Sequence, residues 1–391
     1  MIPTERRREH AERLKWLSQT SPGTLASKLL RRFWQPVAIA NEVQNGTAKY
    51  LKVLGEELTL YRGASGRAYL VGGRCAHRRT LLHTGWVEGE EVRCAYHGWK
   101  FDGTGQCLQR PAEGDRGLPP VTIAGYPVYE YCGLIFAYLG EGVPPEFDLP
   151  RKAVFERDGV VFPRVQIWDC NWFQQVENSL DAVHVSFVHQ LGSVGPFGMA
   201  VTQAIPELAY SETDAGIEQV AARSHDNVRK SDWTFPNNNH IVVPGLTQDD
   251  PWTDIGVWMV PIDDEHTMRI GLYASPATGA AGERFLEYCR QSSTYNAAQH
   301  YDDLFHKGIY PSDPLMELTG AQDYVALRGQ GLVADRGLET LGKSDKGIAL
   351  LRNIFLREIE ALRDGKPIKQ WRRLEHATDL PRQPGQLEHT N

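Results

Sequence analysis

Short runs of alternating apolar and polar residues dominate the first third of the chain, and turns containing glycine or asparagine separate them. Runs of this length and period are typical of β-strands. The predicted strands cover residues 33–37, 50–53, 58–61, 67–71 and 133–139. We therefore expect a small all-β domain over residues 33–145.

The pattern changes after residues 140–150, a segment that holds Pro144, Pro145 and Pro150 and predicts a domain boundary. Longer alternating runs then predict the strands of one larger antiparallel sheet at residues 159–168, 217–222, 240–243, 254–261 and 267–274. Apolar residues at helical spacing predict helices at residues 172–189, 283–303 and 345–363. We expect an α+β fold whose second domain, residues 146–370, has an antiparallel sheet flanked by helices in a helix-grip-like arrangement.

The two ends of the chain differ from these domains. Leucines spaced between polar residues predict a helical arm over residues 1–32. Residues 371–391 are polar, contain proline and predict a loose tail. With 391 residues, the chain is long enough for two domains that each bury a core.

Composition and charge argue against several classes of protein. A net charge of −7 argues against a nucleic-acid-binding protein. The chain has no apolar run of about 18 residues, so we expect no membrane-spanning helix. The first residues lack the apolar segment of a secretory signal, and the six cysteines are scattered without a disulfide framework. We therefore expect a cytoplasmic protein with reduced thiols.

Four candidate metal ligands form two mixed pairs, Cys75-x-His77 and Cys94-x-x-His97. Two cysteines and two histidines suit either a tetrahedral zinc ion or an iron–sulfur cluster in which imidazoles replace two thiolates. Zinc fingers usually pair like ligands. One cysteine and one histidine on each of two facing loops favour a Rieske [2Fe–2S] centre, in which both thiolates bind one iron and both imidazoles the other. A structural zinc site is the alternative.

The segments CAH and CAYHGWKFD that contain these pairs resemble the Rieske domain of the Rieske non-heme iron oxygenases, and the motif is highly specific. The resemblance implies a [2Fe–2S] cluster held by the four residues just named. Ala76 stands where many members of the family have proline, and Arg79 stands where they have glycine. Neither residue is a ligand, so the expected cluster is unaffected.

A second group of potential ligands, Asp181, His184 and His189, lies in the predicted helix at residues 172–189. The two histidines are five residues apart and would diverge by roughly 140° on a straight helix, so both reach one metal only if the helix bends or ends between them. Two histidines and a distant carboxylate would form the facial triad of non-heme Fe(II) oxygenases. Two ordinary histidines are the alternative, and an isolated pair would favour it.

The pattern Asn178-x-x-Asp181-x-x-His184-x4-His189 resembles the catalytic-domain motif of the same family, so the resemblance spans both domains. It implies that the two histidines bind a mononuclear Fe(II) and that Asn178 belongs to the same catalytic group. The family takes its carboxylate ligand from a late helix, and Asp323 in GAQDYVALRGQGLVADRG is the candidate. The competing carboxylates are Asp313, Glu317 and Asp335.

The resemblance also implies a role for Asp181. In the family this aspartate links a cluster histidine of one subunit to an iron histidine of its neighbour, because a head-to-tail homotrimer brings together metals that are far apart within one chain. Here the path would run from His77 or His97 through Asp181 to His184. A carboxylate between two imidazoles fixes their tautomers and stabilises positive charge. Capping or orienting the helix is the simpler role for Asp181.

The family resemblance implies the terminal oxygenase of a multicomponent system that uses O2. Residues 329–334 match a G-x-G-x-x-A pattern, but no convincing strand of a βαβ unit precedes them. We therefore expect electrons from a separate NAD(P)H-dependent reductase, directly or through a ferredoxin. Asn239 and His240 follow two other asparagines and are candidates for the substrate pocket; a plain asparagine-rich turn is the equal alternative.

The segment GQGLVADRGLETLGKSDKGIALLRNIFLREIEAL resembles the phthalate-dioxygenase-like branch of the family. This branch implies a substituted, carboxylated aromatic substrate and O-demethylation or hydroxylation. A cis-dihydroxylating dioxygenase of an aromatic acid is the alternative, since fold does not choose the reaction. In a different class, the chain would be a Rieske electron-transfer protein with a non-catalytic C-terminal domain. Iron content and use of O2 would distinguish the two classes.

Overall fold

The computed structural model of the protein describes residues 4–114, 119–147, 153–156, 158–190, 202, 204–225, 227–294, 297–309 and 316–371. The chain divides into two compact units. The small unit is formed by residues 20–147 and 260–264, and the large unit by residues 1–19, 148–259 and 265–391. Each unit is described by itself below.

The N-terminal segment contributes to both units. Helix α1 (Thr4–Ser18) lies in the large unit and helix α2 (Leu25–Leu30) in the small unit, whereas the sequence predicted one helical arm over residues 1–32. The difference arises because α1 has its own burial site. Leu17 is fully buried, and its carbonyl accepts a hydrogen bond from Trp172 Nε1 at 3.0 Å. Helix α1 is therefore a structural part of the large unit.

Three antiparallel sheets form the small unit, which confirms its predicted all-β character. The strands are β1 (Trp34–Ile39), β2 (Ala48–Val53), β3 (Glu56–Arg62), β4 (Ala68–Gly72), β5 (Trp86–Glu88), β6 (Glu91–Arg93), β7 (Lys100–Phe101), β8 (Cys107–Gln109), β9 (Gly125–Tyr126), β10 (Val128–Tyr131) and β11 (Leu134–Tyr138). Their orders are β1–β11–β10, β2–β3–β4–β9 and β5–β6–β7–β8. One Cys/His pair lies between β4 and β5, and the other lies between β6 and β7.

A seven-stranded antiparallel sheet forms the centre of the large unit, in the order β12–β18–β17–β16–β15–β14–β13. The strands are β12 (Val160–Trp168), β13 (Glu207–Glu212), β14 (Gly216–Ser224), β15 (Asn227–Thr234), β16 (Asn238–Val243), β17 (Thr253–Pro261) and β18 (Thr267–Ser275). The sequence did not predict β13 and β15. Both are rich in polar residues on both faces, and this hides the alternation on which strand prediction depends.

Helices flank this sheet, which confirms the predicted fold class. They are α3 (Ala153–Glu156), α4 (Trp172–Ser179), α5 (Val185–Val188), α6 (Gly279–Thr294), α7 (Ala297–His306), α8 (Met316–Arg328) and α9 (Lys346–Arg363). Phe355 of α9 is fully buried, and its ring centre lies 5.6 Å from that of Trp172 in α4 and 5.9 Å from that of Trp233 in β15. This aromatic contact fixes α4 against the sheet.

One of the predicted helices is divided in the structure. The predicted helix at residues 172–189 consists of α4 and α5. The one at residues 283–303 is covered by α6 and α7, and residues 295–296 between them lie outside the described residues. Between α4 and α5, the Asp181 carboxylate accepts hydrogen bonds from the main-chain N–H groups of Val183 and His184. Short polar side chains that bind the main chain in this way favour turns over helix interiors. Within the described ranges, no helix has the length and apolarity that a membrane crossing requires.

Candidate metal centres

The two Cys/His loops of the small unit have the same main-chain turn. Arg79 N donates to the carbonyl of Cys75, and Gly98 N donates to the carbonyl of Cys94, both at 3.0 Å. The donors both have positive φ, +64° at Arg79 and +72° at Gly98. Each loop therefore presents one cysteine and one histidine in an equivalent setting.

Arg79 occupies a backbone conformation that favours glycine. A left-handed conformation costs a residue with a Cβ about 1–2 kcal/mol, which explains why glycine is usual at this place in the family motif. The carbonyl of Arg79 accepts a hydrogen bond from Arg74 Nη1 at 3.0 Å. The loop thus keeps the shape of its glycine-containing counterpart despite the larger residue.

The thiols of the two loops are more deeply buried than the imidazoles. Cys75 and Cys94 are 1% exposed and pack among Leu82, Val92 and other apolar residues. Burial raises the pKa of the Cys75 thiol to about 11, and the nearby Cys94 adds to this shift. The rings of His77 and His97 are half-buried, with centres 4.5 Å apart. Paired thiols inside and paired imidazoles near the surface fit the ligand division of a Rieske [2Fe–2S] cluster.

In the large unit, the end of α4 and the two ends of α5 set the spacing of the second group of ligands. His184 precedes α5 and His189 follows it, so the two histidines flank one short helix. Asp323 lies in α8, and its Oδ1 is 3.4 Å from His184 Nε2 and 3.3 Å from His189 Nε2. The three ligand atoms all lie within 4.8 Å of one another. The structure thus brings together the two histidines and the carboxylate that the sequence proposed.

The electrostatics of this group fit a metal site. Asp323 is 8% exposed, and its Oδ1 has no well-formed hydrogen bond in the described part of the chain. Burial alone would raise the pKa of Asp323, but the imidazoles of His189 and His184 outweigh burial and hold that pKa below its usual range. Two imidazoles and one carboxylate whose ligand atoms converge in this way are a donor set suited to Fe(II).

The other carboxylates that the sequence offered are not part of this group. Asp335 is exposed, and it accepts a hydrogen bond from Gly337 N at 3.0 Å. Asp313 and the side chain of Glu317 lie outside the described residues. Asp323 is therefore the carboxylate that the described structure supports as the third ligand.

Asp181 and Asn178 both adjoin His184. Asp181 Oδ1 accepts from Val183 N at 3.0 Å and from His184 N at 3.2 Å, and Oδ2 lies 3.8 Å from His184 Nδ1. The Asp181 side chain is 36% exposed. Asn178 Nδ2 lies 3.4 Å from His184 Nε2, on the side of the imidazole that faces the ligand group. Asp181 therefore stabilises the turn before His184 and leaves part of its carboxylate accessible.

Gln322 orients the other histidine, and the sequence did not single it out. Its Oε1 lies 3.3 Å from His189 Nδ1, and both side chains are buried. A polar partner on the second ring nitrogen fixes the tautomer and orientation of a metal-binding histidine. In the sequence, the signal that could have identified Gln322 is its position directly before Asp323, a candidate ligand.

A buried ion-pair group holds α4 in place behind the ligands. Glu177 is 8% exposed, and its carboxylate accepts from Arg336 Nη2 at 2.7 Å and from Arg352 Nε at 2.6 Å. Removal of one partner from a buried pair of this kind is strongly destabilising, at about 3–5 kcal/mol. This group could not be predicted from the sequence, because its members are far apart in the chain.

The three ligand residues lie on the wall of an internal cavity of about 210 Å3 in the large unit. Its wall combines apolar and aromatic side chains with polar and cationic ones: Gln166, Trp168, Asn178, Asn239, Ile241, Ile255, Met259, Tyr273, Tyr288, Arg164, Arg223, Arg229 and Arg269. Asn239 belongs to the wall, but His240 does not. Consecutive residues of a strand point to opposite faces, and His240 Nε2 instead lies 2.9 Å from Asp254 Oδ1 in a buried pair.

Comparison with known proteins places both units of the chain in one family. Residues 33–127 match the model of the Rieske [2Fe–2S] domain. The 5,5′-dehydrodivanillate O-demethylase oxygenase subunit of Sphingobium sp. is 32% identical over 379 residues, covering 92% of this chain and 82% of that protein. The tert-butanol monooxygenase / tert-amyl alcohol desaturase oxygenase subunit of Aquincola tertiaricarbonis is 30% identical over 359 residues, covering 86% and 74%.

A solved structure of NdmB from Pseudomonas putida CBB5 shares the fold, with a TM-score of 0.64, 21% identity and coverage of 86% of this chain and 93% of that chain. The small unit thus contains a Rieske domain, and the large unit has the fold of Rieske oxygenase structures. The chain belongs to the Rieske non-heme iron oxygenases, as the oxygenase subunit. Its cofactors are the [2Fe–2S] cluster and the mononuclear iron of that family.

We expect Asp323→Ala to remove the mononuclear iron and leave the cluster intact, because the iron loses its only charged ligand. Iron content should fall from about three to about two atoms per chain, while the visible spectrum of the cluster stays unchanged. The control is Asp335→Ala, which removes an exposed carboxylate close by in sequence. Full iron content in the Asp323 variant would assign the third ligand to another residue.

We expect Gln322→Leu to weaken binding of the mononuclear iron about 10- to 100-fold, because His189 loses the partner that orients its ring. Gln322→Glu keeps an acceptor at the same position and should bind iron more tightly than the leucine variant. Iron retention during dialysis against a graded chelator series measures the effect. Equal retention by the leucine variant and the unmodified protein would contradict the role of Gln322.

Proposed function

We propose that this chain is the oxygenase subunit of a system that removes methyl groups from substituted aromatic acids. The observation that carries the proposal is the convergence of His184, His189 and Asp323 on the wall of a cavity that also has aromatic and apolar side chains. A cavity of this composition suits an aromatic ring beside the iron. The relative named as an O-demethylase supports the reaction type.

Each group of the site has a proposed task. The mononuclear iron, when bound, supplies the O2-activating chemistry of the family, and the cluster supplies electrons. His184, His189 and Asp323 hold the iron, and Gln322 keeps the His189 ring in position. Apolar residues of the wall, such as Ile241, exclude water from the substrate ring. Asn239 Oδ1 is buried without a hydrogen-bond partner in the described part of the chain, so it can accept a bond from a substrate hydroxyl.

We further propose that electrons enter the iron site through Asp181 from the cluster of a second copy of the chain, in a homotrimer. Two observations support this path. The imidazoles of His77 and His97 lie nearer the surface of the small unit than the two thiols do, so electrons would leave on the histidine side. The Asp181 carboxylate remains 36% exposed beside His184, so it can accept a hydrogen bond from a partner imidazole.

The atoms and electrons of the proposed O-demethylation balance with O2 as the oxidant. One oxygen atom of O2 enters the methoxy carbon, and the resulting hemiacetal breaks down to a phenol and formaldehyde. The other oxygen atom leaves as water, with two electrons and two protons supplied through a separate reductase, directly or through a ferredoxin. Cis-dihydroxylation of the ring is the competing reaction, and it would consume O2 without releasing formaldehyde.

A turnover screen tests the proposal. The iron-loaded protein, a surrogate reductase and NADH should consume O2 in the presence of a methoxylated aromatic acid and release about one formaldehyde per O2. Release of a cis-diol would replace O-demethylation by ring dihydroxylation. If no member of a panel of methoxylated and unsubstituted aromatics stimulates O2 uptake, the electron-transfer alternative is favoured and the proposed function fails.

We expect Asp181→Asn to keep both metal centres and to lower turnover by at least about 100-fold, because the amide can still cap the turn but carries no negative charge between two imidazoles. Iron content separates this role from a purely structural one, since a lost cap would disturb His184 and release iron. Normal turnover in the variant, or a monomeric mass of 44.0 kDa for the active protein in solution, would contradict the bridge.

A further inference from the structure

The cavity of the large unit has four arginines on its wall, Arg164, Arg223, Arg229 and Arg269. They are of two kinds. Arg164 Cζ lies 5.4 Å from the centre of the Tyr273 ring, and Arg269 Cζ lies 5.1 Å from that of Trp168. Cation–π contact stabilises a guanidinium that is removed from water. The other two arginines have no aromatic partner within the described part of the chain.

Sheet register places these two arginines side by side. Arg229 of β15 pairs with Ala221 of β14, and Arg223 lies two residues beyond Ala221 on the same strand. Residues two apart on a strand share a face, so both guanidiniums arise from the cavity face of adjacent strands. The register shifts between Ala222 and Ser224. An irregularity of this kind re-aims the side chain at its centre, which is Arg223.

The protein itself uses little of the hydrogen-bonding capacity of this pair. Arg229 Nη2 donates to the carbonyl of Val242 at 2.5 Å, and Arg223 Nη2 donates to the carbonyl of Ala182 at 3.3 Å. Arg223 Nε is buried and has no partner among the described residues. Since a guanidinium carries several donors in a planar fork, most of the donors of the pair remain available to a ligand.

Among the residues that the structure describes, the pair also lacks a counter-charge. Neither arginine forms an ion pair with a carboxylate in the ranges that the structure describes. Burial, with a smaller contribution from the positive charge of Arg223, lowers the pKa of Arg229 to about 10. Burial also lowers the pKa of Arg223. Two like charges that lie close together and are partly buried are unfavourable unless an anion accompanies them.

We propose that Arg223 and Arg229 form the anion-binding end of the cavity and hold the carboxylate of an aromatic acid substrate. The inference rests on the proposed function and assigns the residues that select the substrate. A planar carboxylate matches the fork of a guanidinium in two parallel hydrogen bonds. Family membership alone does not imply an acid, since a relative that is 30% identical is named for alcohols.

The same pair orients the substrate toward the iron ligands. The Arg223 bond to the Ala182 carbonyl attaches the anion-binding end to the turn that carries Asp181 and His184. An acid fixed at this end has its ring along the apolar wall that includes Ile241 and Ile255. The carboxylate therefore determines which ring substituent reaches the iron side of the cavity.

Binding without turnover tests the proposal. The iron-loaded protein is titrated calorimetrically, without O2 or reductase, with ortho-, meta- and para-methoxybenzoate and with the matching methoxybenzamides. We expect at least one acid to bind about tenfold more tightly than its amide. Arg223→Gln and Arg229→Gln should each weaken acid binding about 10- to 100-fold, while affinity for the amide changes less than about threefold.

Lys230→Gln is the matched control, because it removes one positive charge from the same strand at a residue that pairs with Glu218 instead of lining the cavity. It should leave the preference for acid unchanged. Arg229→Lys keeps the charge without the fork and should give an intermediate affinity. The visible spectrum of the cluster and the iron content show that each variant is folded.

The outcomes separate this proposal from the proposed function. The arginine proposal is overturned if no acid is preferred over its amide, or if both glutamine variants retain the preference. In that case formaldehyde release from a neutral methoxyarene would still support O-demethylation. Conversely, a preference that depends on Arg223 and Arg229, in a protein that consumes no O2 with any bound acid, would support the anion site and contradict the proposed function.

Discussion

Charge that is removed from water must be paired, and the large unit depends on this constraint. The Asp323 carboxylate is buried between two imidazoles, and the Glu177 carboxylate is buried between two guanidiniums. Each group joins chain segments that are far apart in sequence, so pairing of charge fixes the tertiary arrangement around the iron ligands. Arg223 and Arg229 are the opposite case, because the described residues place two positive charges there and no carboxylate that pairs with them.

The sequence indicated the candidate metal ligands more clearly than the residues that support them. Cys75 and His77 are neighbours in a short motif, and the ligand chemistry of such a motif is local. Asp323 could be selected from its competitors only through family resemblance, since nothing near it in sequence shows that α8 returns to His184. Gln322 was missed for a related reason: a glutamine beside a ligand is informative only when its orientation toward His189 is known.

Prediction of the helices and strands also succeeded where the local sequence pattern was sufficient and failed where it was not. Strand β18 and helix α9 have clear apolar periodicity and were predicted within a few residues. Strand β15 was missed because Arg229 and Ser231 are polar on its cavity face. That face lines the cavity instead of packing into an apolar core, so the cavity explains why the strand lacks the usual alternation of apolar and polar residues. The break after α4 was not predicted, because the sequence suggested a bend or an end of the helix between the two histidines, whereas the break lies before His184.

The participation of α1 in the large unit has a consequence for the order of folding during synthesis. Most of the small unit is a continuous segment that the ribosome completes early. Helix α1 is made before it, but Arg13 pairs with Glu360 of α9, and the Leu17 carbonyl accepts from Trp172. These partners are synthesised later than α1, and Glu360 lies near the end of the described part of the chain. Helix α1 therefore leaves the ribosome before any of these partners, and it can complete its packing only after most of the chain has been synthesised.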